Sequence, residues 1–290
     1  MPFMSHVPPS LSAQLAGIPV GDTLPVRIMA VLNVSPESFY PGSVQTNREQ
    51  IAETAHALAG EGADIIDIGA MSTAPYLKTD IPVAEETERL AQAVEAAAAT
   101  VSIPISADTQ RAQPAQAALR AGARIINDVS GLRSDPTIAA LIARFGASAI
   151  LMASEPHPQS GPPLERIWNA LRNSLTRAEQ AGVPRQRIVL DPGIGFFRKP
   201  GIAWDEWDCL VLRALTDLRS LGFPLLVGAS RKSFIGKILD QPKVQDRLIG
   251  SLTCAAIAVV NGAHIIRAHD VKETVEAIRM AERLRGPLGG

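Results

Sequence analysis

The chain has 290 residues, of which 46% are apolar and 20% charged, and its formal net charge is −1. Such a composition can fill a large core and excludes a disordered, solvating chain. With no basic run to neutralise phosphates and no apolar run of membrane-spanning length, neither nucleic acid nor a membrane is an expected partner.

Residues 1–26 form an N-terminal extension, expected to cap the bottom of the fold or to stay mobile. Its opening stretch, MPFMSHVPPSLSAQ, has neither the positive n-region nor the apolar h-region of a secretory signal. The first apolar run, RIMAVLNV (27–34), reads as a strand that ends on Asn33, before a polar, turn-rich segment from Ser35 to Ser43. Helix-period residues follow in REQIAETAHALAGEGA, then the run DIIDIGA (64–70), then the Ala- and Glu-rich ERLAQAVEAAAAT. The pattern continues through IPISADT (103–109), RIINDVSG (124–131), ASAILMA (147–153), RIVLDPGI (187–194), PLLVGAS (224–230) and HIIRAHD (264–270). Glycine often precedes the next strand, as at Gly146 and Gly222, where a left-handed helix cap is expected. Eight strands alternating with helices predict a single-domain (β/α)8 barrel over residues 27–286. A doubly wound sheet is the competitor, but it usually has fewer strands and a Gly-rich turn after the first, which is missing here. Cys209 and Cys254 lie far apart on predicted helices and suggest no disulfide framework or metal cluster, so a reducing, cytoplasmic setting is expected.

In a barrel of this kind chemistry gathers at the carboxyl ends of the strands. Those ends supply Asn33; Asp67 with Ser72 and Thr73; Asp108 and Thr109; Asn127 and Asp128; Met152; Asp191; Ser230, Arg231 and Lys232; Arg267, His269 and Asp270. Each has an ordinary alternative, because Asn, Asp and Ser also serve as turn formers and helix caps. Asp67 and Asp128 could simply hold their own loops, and Asp191 before Pro192 could be only a turn. Lys232 is harder to explain structurally, since a cation at a helix start opposes the dipole. Arg267 and His269 share the parity of one strand face and read as anion ligands, whereas His264 reads as a satisfied bottom-face residue. Together these ends describe an anion site (Asn33, Arg267, His269) beside a pocket of carboxylates and an amide suited to a flat heterocycle with adjacent N–H donors.

At this point NVSPESF, DIIDIGAMSTAP, PISADT, IINDVSG, LDPGIGF, GASRKSF and IRAHDV, in that order, resemble the signatures of the dihydropteroate synthase family. The resemblance runs from about Arg27 to Ala281, and LDPGIGF with SRKSF is its most specific part. It implies a pterin-binding barrel that condenses a pterin diphosphate with an aryl amine and releases pyrophosphate. It further implies that Asp108, Asn127, Met152, Asp191 and Lys232 hold the pterin, with Asp108 and Lys232 catalytic. Asn33, Thr73, Arg267 and His269 would bind pyrophosphate, Asn33 would also touch Mg2+, and Phe196, Ser230 and Arg231 would line the aryl-amine slot. The family's members are commonly homodimers through helices on the barrel side.

Two early loops depart from the family pattern. Glu37 replaces the family's Asp, Pro41 sits where an acidic residue is usual, Met71 stands where the family has Glu, Ala74 where it has Arg, and the MAS of 152–154 replaces M-H-M. Losing a charge-assisted hydrogen bond costs about 1.5–3 kcal/mol, or about one to two decades in affinity. These departures suggest that the amine differs from p-aminobenzoate, as in a methanopterin-type reaction with a ribosylated aminobenzene phosphate. Other readings are a pterin-dependent methyltransferase, an aldolase using Lys232 as a Schiff base, and a pterin-binding protein without catalysis. The segment from Ser35 to Ser43 is expected to act as a lid over the diphosphate.

Overall fold

Why the chain closes on itself follows from the alternation of its strands, seen in a computed structural model that describes residues 10–35, 47–71, 81–157, 160–197 and 201–286. A short antiparallel hairpin comes first, β1 (Ser12–Leu15) and β2 (Ile18–Gly21). Its two-residue turn places Ala16 at φ 53° and Gly17 at φ 89°, the backbone that matches the twist of a tight hairpin. Eight strands then form the wall: β3 (Arg27–Asn33), β4 (Ile65–Gly69), β5 (Ile105–Asp108), β6 (Ile125–Asp128), β7 (Ser148–Met152), β8 (Ile188–Asp191), β9 (Leu226–Val227) and β10 (Ile265–Ala268).

All eight are parallel, in the order β8-β7-β6-β5-β4-β3-β10-β9. A parallel bridge between Leu190 and Leu225, with the Leu190 N–H donating to the Pro224 carbonyl at 3.0 Å, joins the last edge to the first. The predicted (β/α)8 barrel is thus borne out. Helices cover the outside: α1 (Arg48–Gly60), α2 (Val83–Ala98), α3 (Ala112–Ala121), α4 (Thr137–Phe145), α5 (Pro163–Gln180), α6 (Trp204–Arg213), α7 (Ser233–Ile238), α8 (Leu248–Val260) and α9 (Val271–Arg285). Parallel strands need such crossovers, and their buried outer faces pack Ile28, Ile66, Ile126 and Leu151 against Leu90, Ile142 and Ile167 of the helices. Gly146 takes the left-handed backbone that ends α4, as its place before β7 suggests.

Inward-facing side chains form a second core. Met29, Ile65, Ile125, Ile150, Val189, Leu226 and Ile265 fill the lower barrel, and Ala13, Leu15 and Val20 of the hairpin pack against them from below. Ser148 Oγ accepts from the Ala16 N–H at 2.9 Å and so ties the hairpin turn to β7. Beside it, Asp22 accepts from both Arg219 terminal nitrogens (2.7 and 3.0 Å), from the Leu11 N–H (2.8 Å) and from His264 Nε2 (3.0 Å). His264 Nδ1 accepts from the Leu225 N–H, so this histidine is satisfied at the bottom of the barrel. The inward stripe is apolar at this end, and its next layers upward are polar.

Candidate active site

Strand register builds the upper layers. Asn33 pairs with Gly69, Gly69 with Asp108, and Asp108 with Asn127, which places one row of side chains across four neighbouring strands. Gly69 leaves room within that row: a Cβ there would lie 3.6 Å from Asn33 Oδ1 and 3.7 Å from Asp108 Cβ. On the other side of the mouth Met152 pairs with Asp191. Because Ile265 faces inward, alternation sends Arg267 and His269 inward too.

Asp67 is the centre of the arrangement, fully buried one layer below the row. Its Oδ2 accepts from Arg267 Nε at 2.7 Å and from Asn127 Nδ2 at 3.0 Å. Arg267 Nη2 donates in turn to Asp108 Oδ2 at 2.9 Å. Burial, reinforced by the charge of Asp67, pushes the Asp108 carboxyl up to about 7, although Arg267 pulls the other way. Burial works against the Arg267 cation, but Asp67 and Asp108 more than offset it and hold the guanidinium charged. Asp108 Oδ1 and Asn127 Oδ1, like Asp67 Oδ1 below them, are buried and make no hydrogen bond within the protein, so these oxygens are left for a ligand.

Lys232 sits at the N-cap of α7, and its ammonium donates to the Ile194 carbonyl while lying 4.5 Å from the centre of the Phe196 ring. Asp191 is buried, which raises its carboxyl even though Lys232 draws it down. Its Oδ1 accepts from the Gly193 N–H at 2.7 Å, so Asp191 forms the expected turn as well as facing the lysine. His269 Nδ1 lies 3.0 Å from Ser230 Oγ, and that oxygen accepts from the His269 backbone N–H at 3.2 Å. Burial first, and then the charges of Arg267, Arg231 and Lys232, hold the imidazole down at about 3. It is therefore neutral at physiological pH and can act on an anion as an N–H donor rather than as a cation.

Asn33, Asp108, Asn127, Met152, Asp191, Phe196, Ser230, Lys232, Arg267 and His269 thus all come to one mouth. Arg231 does not serve the aryl-amine slot expected of it. Its left-handed backbone (φ 56°) turns the side chain away, where it forks onto Asp270 at 2.8 and 2.5 Å and donates to the carbonyls of Val244 and Gln245. Asp128 holds its own loop through the N–H groups of Ser130 and Leu132. Asp67, offered as a possible loop holder, instead joins three strands. The available signal was its inward parity with Ile65, which denies it a surface turn. Ser72, Thr73 and Ala74 lie outside the described residues, as do Glu37, Pro41 and the proposed lid beyond Ser35.

Fold and site together define a parallel barrel whose mouth gathers buried carboxylates, an amide, a lysine, an arginine and a histidine. Residues 29–269 match the pterin binding enzyme family. A dihydropteroate synthase of Synechocystis sp. is 38% identical over 279 residues, 92% of this chain and 94% of the relative. A dihydropteroate synthase structure from Clostridium difficile, solved in the presence of pteroic acid, has TM-score 0.82 and 35% identity, covering 90% of this chain and 97% of that one. Another from Xanthomonas albilineans, with 4-aminobenzoic acid, has TM-score 0.84 and 33% identity, covering 96% and 99%. The chain belongs to the pterin-binding enzymes and, among them, to the dihydropteroate synthases, transferases that release pyrophosphate. The altered-amine, methyltransferase and binding-only readings find no support in these comparisons.

Proposed function

We propose that this synthase joins 6-hydroxymethyl-7,8-dihydropterin diphosphate to p-aminobenzoate, the reaction whose acceptor and product skeleton its structural relatives carry. The observation behind this reading is the pair of unpartnered buried acceptors, Asp108 Oδ1 and Asn127 Oδ1, across the mouth from Asp191 and Lys232. Asp191 would accept from the ring N–H and exocyclic amino group in a paired, amide-like contact, while the Lys232 ammonium donates to ring oxygen and nitrogen. Met152 would pack beneath the ring. The methylene carbon–oxygen bond breaks with its electron pair leaving on the diphosphate. The amine nitrogen then bonds to that carbon and loses a proton. Ionised Asp108 would stabilise the positive charge that develops on the methylene.

For the leaving group, Arg267 has Nη1 remaining beyond its two carboxylate contacts, His269 offers an N–H, and Asn33 offers an amide oxygen; Thr73 is assigned to the same group. Among the described residues no three His, Cys, Asp or Glu side chains could cage a metal. That donor set suits Mg2+ arriving on diphosphate oxygens with Asn33 as a single protein ligand, because the ion keeps waters and prefers substrate phosphates. When bound it would neutralise the departing charge. Phe196 and Ser230 would line the amine slot.

A groove of about 650 Å3 between α6, α7 and α8 is lined by Ile238, Leu239, Ile249 and Ile257, all exposed. We assign this face to a homodimer; sedimentation should give twice the chain mass, and Ile249→Asp should give the monomer. Cys209 and Cys254, distant in sequence, both line this groove, and burial raises both thiols, that of Cys254 to about 12. No helix among the described residues is long and apolar enough to cross a membrane.

The test is pyrophosphate release from the pterin diphosphate, with Mg2+ and a panel of aryl amines. Release that depends on p-aminobenzoate, and that Lys232→Ala abolishes, is expected. Equal turnover with a carboxylate-free amine would displace the amine assignment.

A further inference from the structure

We propose that Asp67 is a positioning residue that fixes the polarity of the pterin pocket by dictating which end of the Asn127 amide faces the ligand. Nothing in the pocket's outline alone decides this, because an amide can present either its oxygen or its NH2. Asp67 Oδ2 lies 3.0 Å from Asn127 Nδ2. An ionised carboxylate only accepts, so turning the amide over would set two oxygens against each other in a buried site. The contact therefore leaves Asn127 Oδ1 buried and without a partner, on the strand next to Asp108, whose Oδ1 is likewise unpartnered.

The same Asp67 oxygen holds Arg267 Nε at 2.7 Å, and Arg267 Nη2 then reaches Asp108 Oδ2 at 2.9 Å. One carboxylate thus orients the amide directly and the second carboxylate through the guanidinium. Pairing with Val31 on β3 and Ser106 on β5 fixes the Asp67 backbone, and its contacts with Arg267 and Asn127 hold the carboxylate. The result is two buried oxygens, on the cross-strand neighbours Asp108 and Asn127, that no protein donor satisfies. Such a wall selects a ring whose facing edge carries N–H donors and rejects the isostere that carries acceptors there. This inference rests on the pterin reading of the site and adds to it the origin of the ring's orientation.

Asp67→Asn tests it with nearly unchanged volume. The new amide can donate to Asn127 Oδ1, which frees Asn127 to present its NH2 to the pocket. Affinity for a pterin, measured by calorimetry with pteroic acid, should fall about 10- to 100-fold. Apparent KM for p-aminobenzoate at saturating pterin diphosphate should change by less than about threefold. The exchanged pair Asp67→Asn/Asn127→Asp restores an acceptor at position 127 with the same total charge, and should recover most of the lost pterin affinity. Loss without recovery in the exchanged pair, or an equal loss for both substrates, would overturn the orienting role in favour of plain structural support.

A readout independent of turnover covers the case of a variant that does not fold. In wild-type enzyme without ligand, the Asn127 side-chain NH2 should give a separate, slowly exchanging pair of 15N-coupled signals. Rapidly exchanging, solvent-like signals there would equally overturn the proposal. Should the wild type neither bind pteroic acid nor release pyrophosphate, the substrate assignment falls, while the Asn127 signals still decide the role of Asp67.

Discussion

Asp108 illustrates how a single side chain answers to two demands at once. Burial and the neighbouring Asp67 raise its carboxyl to about 7, above the roughly 3.9 of an unfolded chain. Between those values the folded protein holds a proton that the unfolded chain has released, so this group's contribution to stability falls as pH rises across that window. Asp108→Asn should remove the slope. Relative to wild type, the variant should melt higher at pH 8 than at pH 4.5 while pyrophosphate release falls at least about tenfold, as expected for a group that stabilises developing charge. A melting difference that is the same at both pH values would contradict that account. The role of Asp67 was harder to read from sequence for a physical reason: its partners Asn127 and Arg267 lie 60 and 200 positions away. Only the closed barrel brings them within hydrogen-bonding distance. Arg231 misled in the opposite direction, since nothing local announces the left-handed backbone that turns it toward Asp270.

At the scale of elements, the segment following β8 shows how a loop can set the side chain proposed to hold the pterin. Gly195 has φ +82°, and a Cβ there would come within 2.7 Å of Lys232 Cδ. Its N–H is held by Asp208 of α6 at 2.7 Å, and Phe197 stacks on Trp207 with ring centres 5.1 Å apart, so the loop cannot drift away. Gly195→Ala should therefore displace the lysine at a folding cost of about 1–2 kcal/mol for the left-handed backbone. KM for the pterin diphosphate should rise about tenfold, roughly the loss of one hydrogen bond, with KM for the amine little changed; an unchanged pterin KM would mean the loop does not place Lys232. All eight wall strands were legible because parallel strands buried on both faces read as continuous apolar runs. The hairpin of β1 and β2 was not, because SAQL and IPVG are too short to show a period, and their burial depends on a barrel that forms later in the chain.

The whole molecule is fastened at the end opposite its chemistry. Burial alone would raise the Asp22 carboxyl, but hydrogen bonds from His264, Arg219 and the Leu11 N–H hold it well below the usual carboxylate range. A depressed folded pKa means that this contribution is complete above about pH 4, the unfolded value, and is lost as pH falls toward the folded one. Asp22→Asn should cost about 1–3 kcal/mol at pH 7, less than a fully buried pair because Arg219 keeps 18% exposure. That deficit should shrink in melts at pH 2–3, and a deficit independent of pH would remove the ionic explanation. Catalytic constants at neutral pH should stay near wild type, because the clip lies below the apolar layer of the barrel.

That hairpin stopper makes the cylinder a vessel with one opening. A ring seated down at the depth of Asn127 has no rear exit, so whatever lies above it must depart first. If the amine lies above the ring, as proposed, the ring should be bound first and released last, and dead-end inhibition by amine analogues should depend on prior pterin binding.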